Sequence, residues 1–389
     1  MIEPMRLLEI GTNFWANDKL PLDPFWPGRK VAITGASGFL GARLTGKLIR
    51  QGAEVTVAAR SRKSGDRLAG LGAKVLVGDL RDPAAAGALA AGADILFNLA
   101  HDIRGSREAN WRVAQNVAEG CAAEKVRRLV HASSIAVYDE WPGGTLDEDS
   151  PSDGPGSDYK TVKRAIERDL LQRAAAGAFD VVILQPTIVY GPHSSLWTDL
   201  LVERLRLGSI ALPDSGRGLC SGVYVDDVAD AFVASAAKAR QGGQTFIVSG
   251  PRPFSWGELL QGYAEAAGGR VIWDPQPVAR TERAPRMGLR RLIGDPMAIA
   301  ALPPFRPAIG FVRARLGQDR LDALRMRVLE TIGRVHDFTY RPAVQDPALF
   351  TSSGTCSVGR LSAEIGPPRI DLAEGMRLTQ AYICWRYPR

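Results

Sequence analysis

Cysteine and histidine are scarce in this 389-residue chain, and no two of them stand at the spacing a metal site needs. The four cysteines (Cys121, Cys220, Cys356, Cys384) and four histidines (His101, His131, His193, His336) are dispersed. That leaves neither a zinc motif nor a disulfide framework, and no metal is expected. Long apolar runs are missing too: nowhere do about 18 apolar residues follow one another, so no membrane-spanning helix is expected. The opening stretch MIEPMRLLEIGTNFW has no basic region followed by an apolar core, and a cytoplasmic location is the expectation. Lysine is absent from Val271 to Arg334, where 12 arginines face 6 acidic residues and carry most of the chain's net charge of +7. So local an excess argues against a nucleic-acid surface. Its interleaved apolar residues, as in RMGLRRLIGDPMAIAALPPF, suit an anionic substrate, peripheral contact with the anionic inner face of a membrane, or a solvated helix face.

What is present is an alternation. From residue 29 onward, short β-branched runs (KVAITG, AEVTVAAR, AKVLVGDL, DILFNLAH, RRLVHASS, FDVVILQP) alternate with alanine-rich helical segments. That pattern predicts an α/β fold, a Rossmann-type doubly wound parallel sheet covered on both faces. The regularity weakens after Pro186, so residues 1–28 read as an N-terminal arm and 29–185 as the dinucleotide-binding domain. Residues 186–389 then form a smaller C-terminal substrate-binding lobe, taking in a helix from Asp226, the strand QTFIVSG and the basic insertion at about 271–334.

VAITGASGFLGARL puts Gly35, Gly38 and Gly41 directly after the first strand and at the opening of a helix. There, with Ser37, Phe39 and Leu40, backbone N–H groups can face a pyrophosphate. The second strand ends in VTVAARSR, with Ala59 where an acid would hold the ribose 2′-hydroxyl of NAD. Arg60, Ser61 and Arg62 offer instead two guanidinium groups and a hydroxyl to a 2′-phosphate, so NADP is expected and NAD is the second choice. Asp79, after the third strand, can accept from an adenine amino group with Leu80 against the ring; the alternative is a helix cap before Pro83.

SDYKTVKRAIERDL sets Tyr159 beside two lysines. In a helix Lys163, four residues on, shares the tyrosine's face, whereas Lys160 points a quarter turn away and reads as a solvated neighbour.

In order along the chain, TGASGFLG, GDLRD, NLAH, Asn110, SSIAVY, YKTVK, PTIVYGP and VYVDDVADA resemble the extended short-chain dehydrogenase/reductases, the NAD(P)-dependent epimerase/dehydratase family, over roughly Lys30 to Asp230. The resemblance implies hydride transfer at a secondary alcohol or ketone carbon. It makes Tyr159 the acid/base, Lys163 its partner, Ser134 the hydroxyl that holds the substrate oxygen, with Ser133 as the alternative, and Asn110 the residue that positions a water in the proton relay. It also brings Leu99, Ala100 and Pro186 to the cofactor. A neighbouring ammonium and the positive nicotinamide would favour the Tyr159 phenolate. Ile135 and Ala136 follow Ser134 where dehydratases of the family carry acids, so reduction, oxidation or epimerisation is expected in place of dehydration. Cys220 and Gln185 stand where enzymes of UDP-sugars carry arginines. A nucleotide-sugar substrate is placed first, with Arg217 and Arg341 on its diphosphate. A steroid-like or lipid ketone handled at a membrane surface comes second, and a non-catalytic NADP-binding sensor or assembly subunit is the alternative from another class. A homodimer is compatible with all three.

Overall fold

The computed structural model of the chain describes residues 20–103, 105–139, 143–274, 338–342 and 347–388. These fall into two compact units, one drawn from Met1–Trp197, Cys220–Phe254 and Ser353–Gly375, the other from Thr198–Leu219, Ser255–Ser352 and Met376–Arg389.

The first unit is built on seven strands: β1 (Lys30–Thr34), β2 (Glu54–Ala59), β3 (Lys74–Val77), β4 (Ile95–Asn98), β5 (Arg128–Ala132), β6 (Asp180–Pro186) and β7 (Gly243–Val248). They lie in the order β7-β6-β5-β4-β1-β2-β3, and every pairing is parallel. Parallel neighbours need crossovers. These include helices α1 (Phe39–Arg50), α2 (Arg62–Ala69), α3 (Pro83–Ala90), α4 (Arg107–Ala123), α5 (Asp158–Ala175) and α6 (Val225–Lys238). Because both faces are covered, the strands are apolar at successive positions, and alternate residues feed two cores. Val31, Ile33, Phe97 and Val130 pack into one; Ala32, Leu96 and Leu129 pack into the other with Val117 and Ile166. The winding reverses between β1 and β4, which opens the crevice where such sheets hold dinucleotides.

Two features differ from the sequence reading. Helix α6 and strand β7, expected in the substrate lobe, belong to this sheet, because β7 pairs with β6 from Gly243↔Val181 through Val248↔Pro186. Of the N-terminal arm only residues from 20 on are described, and these reach into a core: Trp26 is fully buried, its ring 6.4 Å from that of Phe97.

The second unit holds a three-stranded parallel sheet, with Gly208–Leu212 between Arg270–Trp273 and Phe338–Tyr340. Its helix Trp256–Ala267 opens on a capping box made by Ser255 and Glu258. Nearly all of the basic insertion lies outside the described residues, and with it the expectation of membrane contact. Among the described residues no helix is long and apolar enough to cross a membrane, and no cluster of His, Cys, Asp and Glu is arranged to hold a metal.

Candidate active site

The turn between β1 and α1 is a backbone cradle. Gly35 has a φ of +67°, and a Cβ there would lie 2.7 Å from the Leu99 carbonyl carbon and 2.9 Å from the Ala100 nitrogen. A side chain at Gly41 would run into the Gly35 carbonyl oxygen. Only glycine fits either place, because the strand end, the turn and the loop after β4 approach closely at the N-terminus of α1. Thr34 ties the cradle together: its hydroxyl donates to Asn98 Oδ1 at 2.8 Å and accepts from the Leu99 and Ala100 N–H groups, each at 3.0 Å. Ser37 and Gly38 are exposed, with Phe39 and Leu40 half-buried behind them. These residues fit a dinucleotide pyrophosphate.

At the end of β2, Ser61 caps α2 by accepting from the Ser64 N–H, which places Arg62 in the first turn of that helix. Arg60 is 81% exposed and lies 3.4 Å from Asp102. One residue that the sequence reading missed joins them. Arg67, later on α2, donates to the Ser37 carbonyl oxygen at 3.4 Å, so its guanidinium meets the glycine turn. Asp79 is gripped by Arg81, which holds its carboxyl down at about 2. The helix cap before Pro83 is made by Asp82, which accepts from the Ala84 N–H. Leu80 is buried in a core cluster. Pro186 is buried at the end of β6.

On the neighbouring side of the crevice, α5 presents Tyr159 with 37% of its surface open. The ring nevertheless sits in a recess: burial pushes its hydroxyl up from the ordinary tyrosine value, opposed by a hydrogen bond from Ser134. Ser134 can give that bond because its oxygen is used as acceptor from the Ala136 N–H at 3.2 Å. Lys163 is buried, donates to the Ala132 carbonyl oxygen at 2.7 Å and lies 5.8 Å from the Tyr159 ring centroid. Desolvation lowers its ammonium to about 8, against the charge of Glu167. The expectation of a phenolate rests on the positive nicotinamide as well as on Lys163, and within the chain itself burial opposes it.

Two further expectations are revised. Lys160 is not solvated: it is buried against Asp139, with Nζ 2.7 Å from the carboxylate, and so ties the first turn of α5 to the loop after β5. The Asn110 amide is committed to backbone. Its Nδ2 donates to the carbonyl oxygens of Asp102 (3.0 Å) and Ser106 (3.1 Å), and its Oδ1 accepts from the Asp102 N–H at 2.8 Å. The side chain orders the loop leading into α4, and both amide protons are taken.

His101 is the other residue the sequence reading passed over. Its ring meets that of Tyr159 edge-on, centroids 5.0 Å apart, and burial together with Lys163 lowers its pKa to about 4, so it is a neutral imidazole. The only signal was its place directly after the NLA segment. His131, on β5, is fully buried beneath Lys163, with neither ring nitrogen in a well-aligned hydrogen bond.

Arg217 and Arg341 belong to the second unit. Each faces a carboxylate there: Arg217 lies 2.7 Å from Asp214, and Arg341 lies 2.9 Å from Asp274.

Known proteins resemble this chain in sequence and fold. The family model described as the NAD dependent epimerase/dehydratase family matches residues 31–249. A 2-alkyl-3-oxoalkanoate reductase of Shewanella oneidensis is 28% identical over 289 residues, 67% of this chain and 73% of that protein. A ceramide reductase of Caulobacter vibrioides is 31% identical over 64% of this chain and 74% of its own length. The UDP-glucose 4-epimerase of Thermus thermophilus, solved with NAD, superposes with a TM-score of 0.61 at 20% identity, covering 92% of this chain and all of the other, and so shares the fold. With the family match spanning more than half its length, the chain belongs to the NAD-dependent epimerase/dehydratase family of extended short-chain dehydrogenases, enzymes that move hydride to and from a nicotinamide dinucleotide.

Proposed function

We propose that this enzyme is an NADPH-dependent ketoreductase acting on a lipid-like substrate, with nucleotide-sugar epimerisation as the second reading. The observation that carries the proposal is the Tyr159 phenol, 37% open to the crevice, with the buried Lys163 ammonium, anchored on the Ala132 carbonyl oxygen, 5.8 Å from its ring centroid. When bound, the dihydronicotinamide supplies hydride to the carbonyl carbon. Ser134 holds the carbonyl oxygen, Tyr159 protonates it as negative charge develops, and the Lys163 ammonium stabilises the phenolate left behind. Asn110 and Thr34 keep the loop after β4 in place over the glycine turn. His101 packs on the phenol and restricts which substrates approach it.

Arg60 and Arg62 at the end of β2, Arg67 against the glycine turn, and the absence of an acid at Ala59 support NADP over NAD. For the substrate, the reductases named above speak for a ketone on a long apolar body. Cys220, where a sugar-nucleotide enzyme would carry an arginine, is buried as a neutral thiol. Arg217 and Arg341 already face carboxylates, which lessens the case for a diphosphate. The epimerase reading keeps its support in the shared fold.

NADPH oxidation followed at 340 nm separates the two readings. The expected outcome is turnover with a long-chain 2-alkyl-3-oxoalkanoate or a 3-oxo-sphingoid base and none with UDP-glucose. Interconversion of UDP-glucose and UDP-galactose without net NADPH consumption would replace the proposal with the second reading.

A further inference from the structure

Glu167 lies one helical turn beyond Lys163 on α5, half-buried, and no step above uses it. Its carboxyl accepts from the Gln185 amide at 2.9 Å, and Gln185 in turn accepts from the Tyr138 hydroxyl at 2.7 Å. The buried Ser133 hydroxyl, which has no other well-aligned partner, faces the same carboxyl. All three neighbours are neutral, so the nearby cations are its helix neighbours Lys163 and Arg164, and Arg164 is also turned towards Asp139 at 3.7 Å. Glu167, Gln185 and Tyr138 line a cavity of about 420 Å³ together with Glu148, Arg240 and Arg360. Burial raises the Glu167 carboxyl from its ordinary value, opposed by hydrogen bonds from Ser133 and Gln185 and by the charges of Lys163 and Arg164. A polar cavity of that size admits water, which helps the carboxylate stay charged.

We propose that Glu167 is a positioning residue that acts through Lys163: its carboxylate, solvated from the cavity and held by Gln185, keeps the buried lysine in its cationic form beneath Tyr159. The part this plays in turnover rests on the ketoreductase reading; the electrostatic part does not. Three kinds of group face the lysine. His101 from the loop after β4 and His131 from β5 are neutral, Tyr159 keeps its proton, and Glu167 is the opposite charge that favours the ammonium. On the cavity side Glu148 and Arg360 are ion-paired with each other at 3.8 Å.

The test is a titration of the Lys163 side chain by NMR in protein carrying [ε-¹³C]lysine, a label that reports on nine lysines, with Lys163→Met to identify the signal. The wild-type midpoint is expected near pH 8. In Glu167→Gln, which keeps an acceptor for the Gln185 amide but removes the charge, it should fall by about one pH unit. Glu167→Met gives the same reading should Glu167→Gln not fold, and Arg168→Gln, an exposed charge change on the same helix, should leave the midpoint unmoved. The basic limb of the NADPH-oxidation profile should fall with the midpoint in both Glu167 variants. An unchanged Lys163 midpoint in either folded variant overturns the proposal whatever the activity; a shifted midpoint with an unshifted limb overturns its catalytic part. The titration needs no substrate, so a wild type inert towards every ketone would count against the ketoreductase reading alone.

Discussion

The glycine turn and the Tyr159 helix face the same crevice and are built by opposite means. The turn makes its site from backbone: at Gly35 and Gly41 a Cβ would strike main-chain atoms, and what is offered to a ligand is N–H groups and empty space. The helix makes its site from side chains, and each depends on a partner far away in sequence. Ser134 comes from the end of β5, Ala132 anchors Lys163, Asp139 holds Lys160, and His101 closes in from β4. A backbone site is intolerant of one added carbon and indifferent to charge. A side-chain site tolerates small changes of shape and is tuned by charge and burial.

That contrast orders the expected effects. Gly41→Val should be the most damaging, because the Gly35 carbonyl cannot move without unseating the turn; isothermal titration should detect no NADPH binding in a protein that still melts cooperatively. Tyr159→Phe should keep cofactor affinity and lose roughly 10²–10⁴-fold in turnover, the range general acid catalysis supplies. Replacing Arg60 and Arg62 together by Ala should remove at least about tenfold of the preference for NADPH over NADH in fluorescence titration, since each charge-assisted contact is worth about 1.5–3 kcal/mol before screening. Arg67→Ala should erode it further. Lys160→Met should cost about 1–3 kcal/mol of stability in chemical denaturation by removing the buried charge-assisted bond to Asp139, with turnover per folded molecule nearly unchanged. Equal losses of turnover at Lys160 and Lys163 would break the distinction between holding the helix and serving the chemistry.

The same contrast explains what could be read in the chain before its fold was known. Glycines at fixed offsets after a β-branched run report a backbone conformation directly, and the parallel sheet, the turn and the Tyr159–Lys163 face are local or periodic features. Lys160 could not be placed that way: its partner is 21 residues away across a loop, and nothing in YKTVK distinguishes a buried ion pair from a solvated amine. Asn110 could be located but not assigned its bonds, which depend on how the loop from Asp102 to Ser106 folds back on α4. For Tyr159 the sequence shows the nearby cation and hides the desolvation that opposes ionisation, so only one side of that balance was legible. Helix α6 and strand β7 were given to the wrong lobe because an irregular stretch separates them from β6, although the sheet takes them back.

The most direct test of the central claim, that Tyr159 is an acid poised to protonate a ketone oxygen, is single-turnover reduction of a 2-alkyl-3-oxoalkanoate by enzyme-bound NADPH, wild type against Tyr159→Phe. A fast loss of 340 nm absorbance in the wild type, slowed by at least about a hundredfold in the variant at equal NADPH occupancy, is the predicted result. Equal rates in the two proteins would contradict it and move the proton donor elsewhere in the crevice.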